Sequence, residues 1–279
     1  MTDTTRRSLL LALAASPVAA DGLGTFPRAA RAQAASIGLV TPNVCLVAPE
    51  TTEGPYYFDP ALVRTDITEG KPGVPLELTL QVVDASCTPL ENARVDIWHC
   101  DAAGNYSGYA TQGSDGTLDT TNETFLRGTQ MTDANGLARF ATIYPGWYRG
   151  RTTHIHYKVF LDETTVLTSQ IFFPDALSEY LFLNVDAYKR AATRDTVNAN
   201  DGIAQAAGDG AYAAIREQSD RYVAELVVGV DPTATSQEGM NGGPGGQPPG
   251  SPPSGAPDPD SGIGNNTGGA LRLVPGVEG

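Results

Sequence analysis

The sequence predicts an all-β fold, a β-sandwich of mostly antiparallel strands with short helices and long loops. Short runs of alternating apolar and polar residues recur between about 75 and 230. Glycine (31) and proline (20) are both over-used, which favours turns over long helices. Gly, Pro, Asn and Asp clusters punctuate the runs, as expected when several short strands are folded into two layers.

Leu76, Leu78, Leu80 and Val82 alternate with Glu77, Thr79 and Gln81, the period of a half-buried strand. Arg94-Val95-Asp96-Ile97-Trp98 continues in strand composition. Asp133-Ala134-Asn135-Gly136 is a turn signal before a further strand, Leu137–Ile143. Across Thr153–Leu161 the alternation returns, with Ile155, Tyr157, Val159 and Leu161 on one face and His154, His156 and Lys158 on the other. Val166–Phe173 reads as a strand and 176–192 as the best helical stretch, though weakly patterned. Tyr222–Val230 is long enough for a helix, but its valines and the Tyr222, Ala224, Leu226, Val228 alternation favour a strand. No repeat of fixed period interrupts this order.

Both ends differ from this middle. Arg6-Arg7 followed by an apolar run to Ala20 predicts a twin-arginine-type export signal over 1–32 and a secreted or periplasmic protein, with cleavage after Ala20 or, favoured by Ala30-Arg31-Ala32, after Ala32. The folded domain is expected over 33–230. Residues 231–279 are expected to form a flexible Gly/Pro-rich tail, because 239–269 hold 11 Gly and 7 Pro and hardly any large apolar side chain. The formal charge of −14 argues against nucleic acid as a partner, since that affinity comes from Lys and Arg on phosphates. No later segment reaches the ~18 unbroken apolar residues of a membrane span. Cys45, Cys87 and Cys100 predict one bridge and one remaining thiol, with three pairings open.

The chain has three histidines, His99, His154 and His156. Two positions apart on a strand, His154 and His156 leave the same face about 6–7 Å apart, a ready pair of metal ligands. An isolated His-x-His also occurs as a plain polar strand face, and here the context decides. Zincin, cupin and two-His-one-carboxylate spacings are all absent. What the neighbourhood offers is phenol: Tyr148, and Tyr106 or Tyr109 in the turn Gly104-Asn105-Tyr106-Ser107-Gly108-Tyr109. Phenolate is a hard anionic ligand of the kind that holds ferric iron in catalase. Two tyrosinates and one hydroxide neutralise Fe(III), and two neutral imidazoles complete the shell. His99 follows Trp98 at a strand end, the setting of a hydrogen-bonded structural histidine, and Arg149 reads as solvated or paired with acids.

These residues resemble the intradiol ring-cleaving dioxygenases of the catechol and protocatechuate type. The resemblance runs through Thr52-Glu53-Gly54-Pro55-Tyr56-Tyr57, Val95–Asp101 with Gly104-Asn105-Tyr106-Ser107, Arg127-Gly128-Thr129-Gln130 to Tyr148, Arg151-Thr152-Thr153-His154-Ile155-His156, and Leu167–Ile171. It implies a non-haem Fe(III) ion, one per chain, held by Tyr106, Tyr148, His154 and His156. It also implies a catalytic role for Arg151 and for Tyr148, the ligand displaced by substrate. Gln170, Arg151, Pro55 and Tyr56 would bind a small catechol, which is cleaved with O2 between its hydroxylated carbons to a muconic-acid-type product. Tyr148 lies only six residues before His154, a shorter loop than in the cytosolic enzymes, and this resembles the family's secreted branch. The helical dimerisation segment of catechol-type enzymes has no counterpart in the roughly twenty residues between Ala32 and Thr52, so the oligomeric state stays open. The segment from Thr132 to Tyr148 alone also fits a non-catalytic transthyretin-like or adhesin-like β-sandwich module. His154, His156 and Arg151 are what such a module has no reason to carry.

Overall fold

The computed structural model describes residues 45–113 and 116–237. The expected export signal over 1–32, residues 33–44 and the chain from 238 onward lie outside the described residues.

In chain order the elements are β1 (Pro75–Asp84), β2 (Arg94–Trp98), β3 (Arg127–Met131), β4 (Leu137–Ile143), β5 (His154–Leu161), β6 (Thr164–Phe172), α1 (Asp175–Asn184), α2 (Gly202–Ala207), β7 (Ala214–Glu217) and β8 (Tyr222–Val230). Among the described residues they form two four-stranded sheets, ordered β4-β1-β8-β7 and β3-β2-β5-β6. All pairings are antiparallel except β1 with β8, which run parallel from Leu76↔Tyr222 to Asp84↔Val230. The expected β-sandwich is the fold found.

Its core follows from the period-two pattern. Leu76, Leu78, Leu80 and Val82 of β1 are fully buried with Val95 and Ile97 of β2, Phe140 of β4 and Ile155, Tyr157 and Val159 of β5. Each such side chain contributes about 1.5–3 kcal/mol on burial. A strand with one polar face ordinarily shows it to water, but β5 is buried on both faces. Its His154–His156–Lys158 face is roofed by loops, foremost the segment 51–60.

The roof is fastened to the sheet at four points. Thr51 donates its N–H to Thr168 O at 2.9 Å. Glu53 pairs with the fully buried Lys158. The Tyr57 hydroxyl donates to Asp96 at 2.9 Å. Arg94 bridges Asp59 and Asp96 at 2.5 and 2.7 Å. Buried charges of this kind hold only when paired, so the network fixes one seating of the segment.

Several boundaries differ from expectation. The helix expected over 176–192 stops at Asn184: Val185 is extended (φ −105°), and Asp186–Tyr188 is a single 3-10 turn. Only Ser178, Leu181 and Phe182 of the helix are buried, a stripe too short to carry it further. The Asn184 side chain closes it by donating to Tyr180 O at 2.7 Å. Strands β3 and β7 and helix α2 were not expected. β3 has no apolar alternation and exists through its pairing with β2. The packed chain also continues past the expected boundary at 230, because Ser236 is buried and donates its N–H to Thr165 O at 2.8 Å. Cys45 and Cys87 form the disulfide, with Cα atoms 5.1 Å apart, and Cys100 is the buried free thiol. Among the described residues no helix is long and apolar enough to cross a membrane.

Phe140 is fully buried between the sheets. Phe140→Ala is expected to lower the unfolding free energy by about 3–5 kcal/mol, measured by denaturant unfolding of the metal-free protein.

Candidate metal centre

Three pieces of backbone deliver the expected ligands to one point. The first is β5, whose register places His156 opposite Trp98 of β2 on one side and Gln170 of β6 on the other. The Trp98 ring stacks on the His156 ring, with centroids 4.8 Å apart and planes 11° apart. The second is the turn 101–109, wound about Asp101, whose Oδ1 accepts the N–H groups of Ala103 and Asn105 at 2.9 Å. Gly104 has φ +87°, and a Cβ there would lie 2.4 Å from Trp147 O, so no other residue lets these loops meet. The third is the segment ending in Tyr148, which reaches the centre directly after Trp147.

At the centre the donors meet. Nε2 of His154 lies 3.1 Å from Nε2 of His156, 3.0 Å from the Tyr148 hydroxyl and 3.5 Å from the Tyr106 hydroxyl. The two hydroxyls are 3.4 Å apart. All four residues are at least 95% buried, each with a relative exposure of 5% or less. Nδ1 of His154 donates to Thr152 O at 2.6 Å; a carbonyl only accepts, so Nδ1 carries the hydrogen and Nε2 presents a lone pair inward. Burial pushes both imidazoles well below the ordinary histidine pKa, for His154 with help from Arg151 and for His156 from His154. Burial likewise pushes the phenols of Tyr106 and Tyr148 upward. The cluster is therefore two neutral imidazoles and two phenols with their donor atoms turned on each other. His156 Nδ1 has no hydrogen-bond partner. This donor set, two nitrogens and two ionisable oxygens on one enclosed point, fits a hard trivalent cation: ionising the phenols would supply charge, and the cation would take the place of the hydrogens these atoms share. No cluster of three or more His, Cys, Asp or Glu occurs among the described residues, so phenol is what completes the set.

The other expected residues surround this point. Arg151 donates through Nε to Asp201 at 2.9 Å and through Nη2 to Gln170 Oε1 at 2.5 Å. Gln170 in turn donates to Thr52 O at 3.0 Å. Tyr56 stacks on the Tyr106 ring, centroids 4.4 Å apart, and half-buried Pro55 follows Gly54, which passes directly over His156. Tyr109, the competing phenol, turns away and donates to Tyr57 O at 3.1 Å. His99 is structural: Nδ1 donates to Cys100 O at 2.8 Å and Nε2 accepts from Thr142 Oγ1 at 2.7 Å. Arg149 is half-buried. Burial raises the Cys100 thiol to about 12, which keeps it protonated and a poor ligand.

Reading by residue type missed the supports. In the sequence Trp98 carries only the signal of a strand residue, and Lys158 only that of a neighbour of the histidines. Asp201 carried one local signal, an N-cap aspartate before Gly202-Ile203, which gives no hint of its partner 50 residues away.

Comparison with known proteins points to one family. A family model described as "Dioxygenase" matches residues 52–215. An intradiol ring-cleavage dioxygenase from Tetranychus urticae superposes with a TM-score of 0.63 at 32% identity, covering 69% of this chain and 98% of that one. The protocatechuate 3,4-dioxygenase beta chain of Burkholderia cepacia is 36% identical over 134 residues, 44% of this chain and 55% of its own length. A catechol 1,2-dioxygenase of Acinetobacter baylyi is 32% identical over 146 residues, 44% of this chain and 45% of its own length. The chain thus spans about half the length of the latter two.

Two outcomes follow from the geometry. Gly54 has φ +72°, and a Cβ there would lie 3.2 Å from His156 Cε1. Gly54→Ala is expected to cost about 1–2 kcal/mol from backbone strain and to shift the His156 ring signals in an NMR spectrum. Burial holds His99 down at about 4, against 6.5 unperturbed. The unfolded state then binds the proton first, so stability is unaffected above about pH 6.5 and is lost as pH falls towards 4. Across that window the loss from His99 is about 3 kcal/mol. Urea unfolding of the metal-free protein against pH, with a shallower acid slope in His99→Asn, checks it.

Proposed function

The chain belongs to the intradiol ring-cleavage dioxygenase family, and from that premise we propose that it binds one non-haem Fe(III) per chain and cleaves a catechol-type ring with O2. The carrying observation is the convergence of Tyr106, Tyr148, His154 and His156 on one buried point, with His154 Nε2 3.0–3.5 Å from the other three donor atoms. When bound there, ferric iron supplies Lewis acidity, lowering the pKa of the catechol hydroxyls and drawing electron density from the ring so that a ring carbon reacts with O2.

The protein's own groups do the rest. His154 and His156 are kept neutral by burial and are held in orientation by the Thr152 carbonyl and the Trp98 ring. Tyr148 would help hold the ion, and its phenolate oxygen would take a proton from the incoming catechol, the role the family resemblance gives it. Arg151, turned towards the site by Gln170 and Asp201, places a fixed positive charge where negative charge develops on the ring. Pro55, Tyr56 and Gln170 form the wall against which the ring is held. Both oxygen atoms enter the product, a muconic-acid-type diacid opened between the hydroxylated carbons. A transthyretin-like binding module would leave four buried donors facing one another with no role.

The same reading places the mature protein in an oxidising compartment, secreted or periplasmic. The Cys45–Cys87 bridge and the twin-arginine start support it.

The protein purified from iron-containing medium is expected to be red-brown from phenolate-to-iron charge transfer and to consume one O2 per catechol. Tyr106→Phe and His154→Ala are each expected to lower iron retention about tenfold or more, with the fold unchanged by circular dichroism. A colourless protein holding stoichiometric zinc, or an iron-loaded one inert to a panel of catechols, contradicts the proposal.

A further inference from the structure

A carboxylate outside the donor set grips the two residues that lead into β5. Asp201 is 3% exposed, and both its oxygens are fully used. Oδ1 accepts from Ile203 N and Ala204 N at 2.8 and 3.1 Å, starting α2. Oδ2 accepts from Arg151 Nε and from Thr152 N, both at 2.9 Å. The carbonyl of that same Thr152 takes the Nδ1 hydrogen of His154. The loop before α2 reinforces the hold: Asp195 Oδ1 accepts from Gly150 N at 3.0 Å, and Thr152 Oγ1 donates to Asn198 Oδ1 at 2.8 Å. Three side chains of 195–201 thus frame 150–152 from outside the sheet.

A helix cap alone needs only Oδ1. The second oxygen instead fixes the direction of the guanidinium. With Nε held by Asp201, Nη2 is left to meet Gln170 Oε1, so the planar fork has a single orientation. Burial works against the charge of Asp201, but Arg151 and the Thr152 N–H outweigh it and keep the carboxylate ionised.

We propose that Asp201 is a positioning residue for the ring cleavage read above, acting through Arg151: it sets the guanidinium against Gln170, facing the substrate. This rests on the functional reading but adds to it, because the chemistry then depends on a residue that touches neither metal nor substrate.

Asp201→Ser is the informative variant, since serine keeps an N-cap acceptor for α2 while removing the carboxylate from Arg151. It is compared with Arg151→Gln and with the double variant, and Asp201→Asn serves as the second variant should Asp201→Ser fold poorly. The expected result is a fall in kcat for catechol of about 10–100-fold in Asp201→Ser, KM little changed. The double variant is expected to be no slower than Arg151→Gln alone. Thermal melting of the same four metal-free proteins is expected to show the two losses overlapping. A wild-type kcat in Asp201→Ser, or a loss that multiplies with that of Arg151→Gln, overturns the role of Asp201 and leaves the functional reading intact. A wild-type protein that cleaves no catechol overturns the functional reading. The melting cycle then tests the clamp by itself, and additive losses there overturn it too.

Discussion

Two imidazole nitrogens buried 3.1 Å apart, with two phenol oxygens closing over them, are the constraint from which the rest of this structure follows. All four side chains are at least 95% buried. Such an arrangement is costly in a metal-free protein, because buried polar atoms lack full partners. A hard cation would reverse the balance by ionising the phenols and taking up all four donors at once. The surrounding packing then reads as a set of devices that keep the donors facing inward.

Those devices are of two kinds. Register within the sheet sets the histidines, because Trp98, His156 and Gln170 lie abreast on three adjacent strands. Loops set the tyrosines, the turn of Tyr106 being wound on Asp101 with Tyr56 stacked on the Tyr106 ring. The two kinds are joined by the roof over β5, where Lys158, Glu53, Tyr57, Asp96, Arg94 and Asp59 form a paired network. Buried ion pairs contribute little net stability, but a mis-seated roof would strand their charges, so the network selects one arrangement. Arg151 is fixed by the same logic from the opposite side, through Asp201 and Gln170.

How much of this the sequence discloses depends on whether the cause is local. The strand bearing His154 and His156 was legible because a period of two is a property of adjacent residues, as were β1 and β8. Tyr106 and Tyr109 flank one glycine turn and cannot be told apart by residue type. Family resemblance favours Tyr106, and the Tyr109 hydroxyl donates instead to Tyr57 O. The pairing of Cys45 with Cys87 and the grip of Asp201 on Arg151 join residues 42 and 50 positions apart, for which no periodicity exists. β3 was invisible for a related reason, since Arg-Gly-Thr-Gln-Met becomes a strand only beside β2. The helix over-run to 192 came from composition without a long buried stripe to sustain it.

The most direct test is a crystal structure of the chain loaded with ferric iron, with data collected at the iron absorption edge. The account predicts a single anomalous peak per chain, enclosed by His154 Nε2, His156 Nε2, Tyr106 Oη and Tyr148 Oη, with Arg151 still on Asp201 and Gln170. A peak bound elsewhere, or one from which Tyr106 or either histidine has turned away, would contradict it.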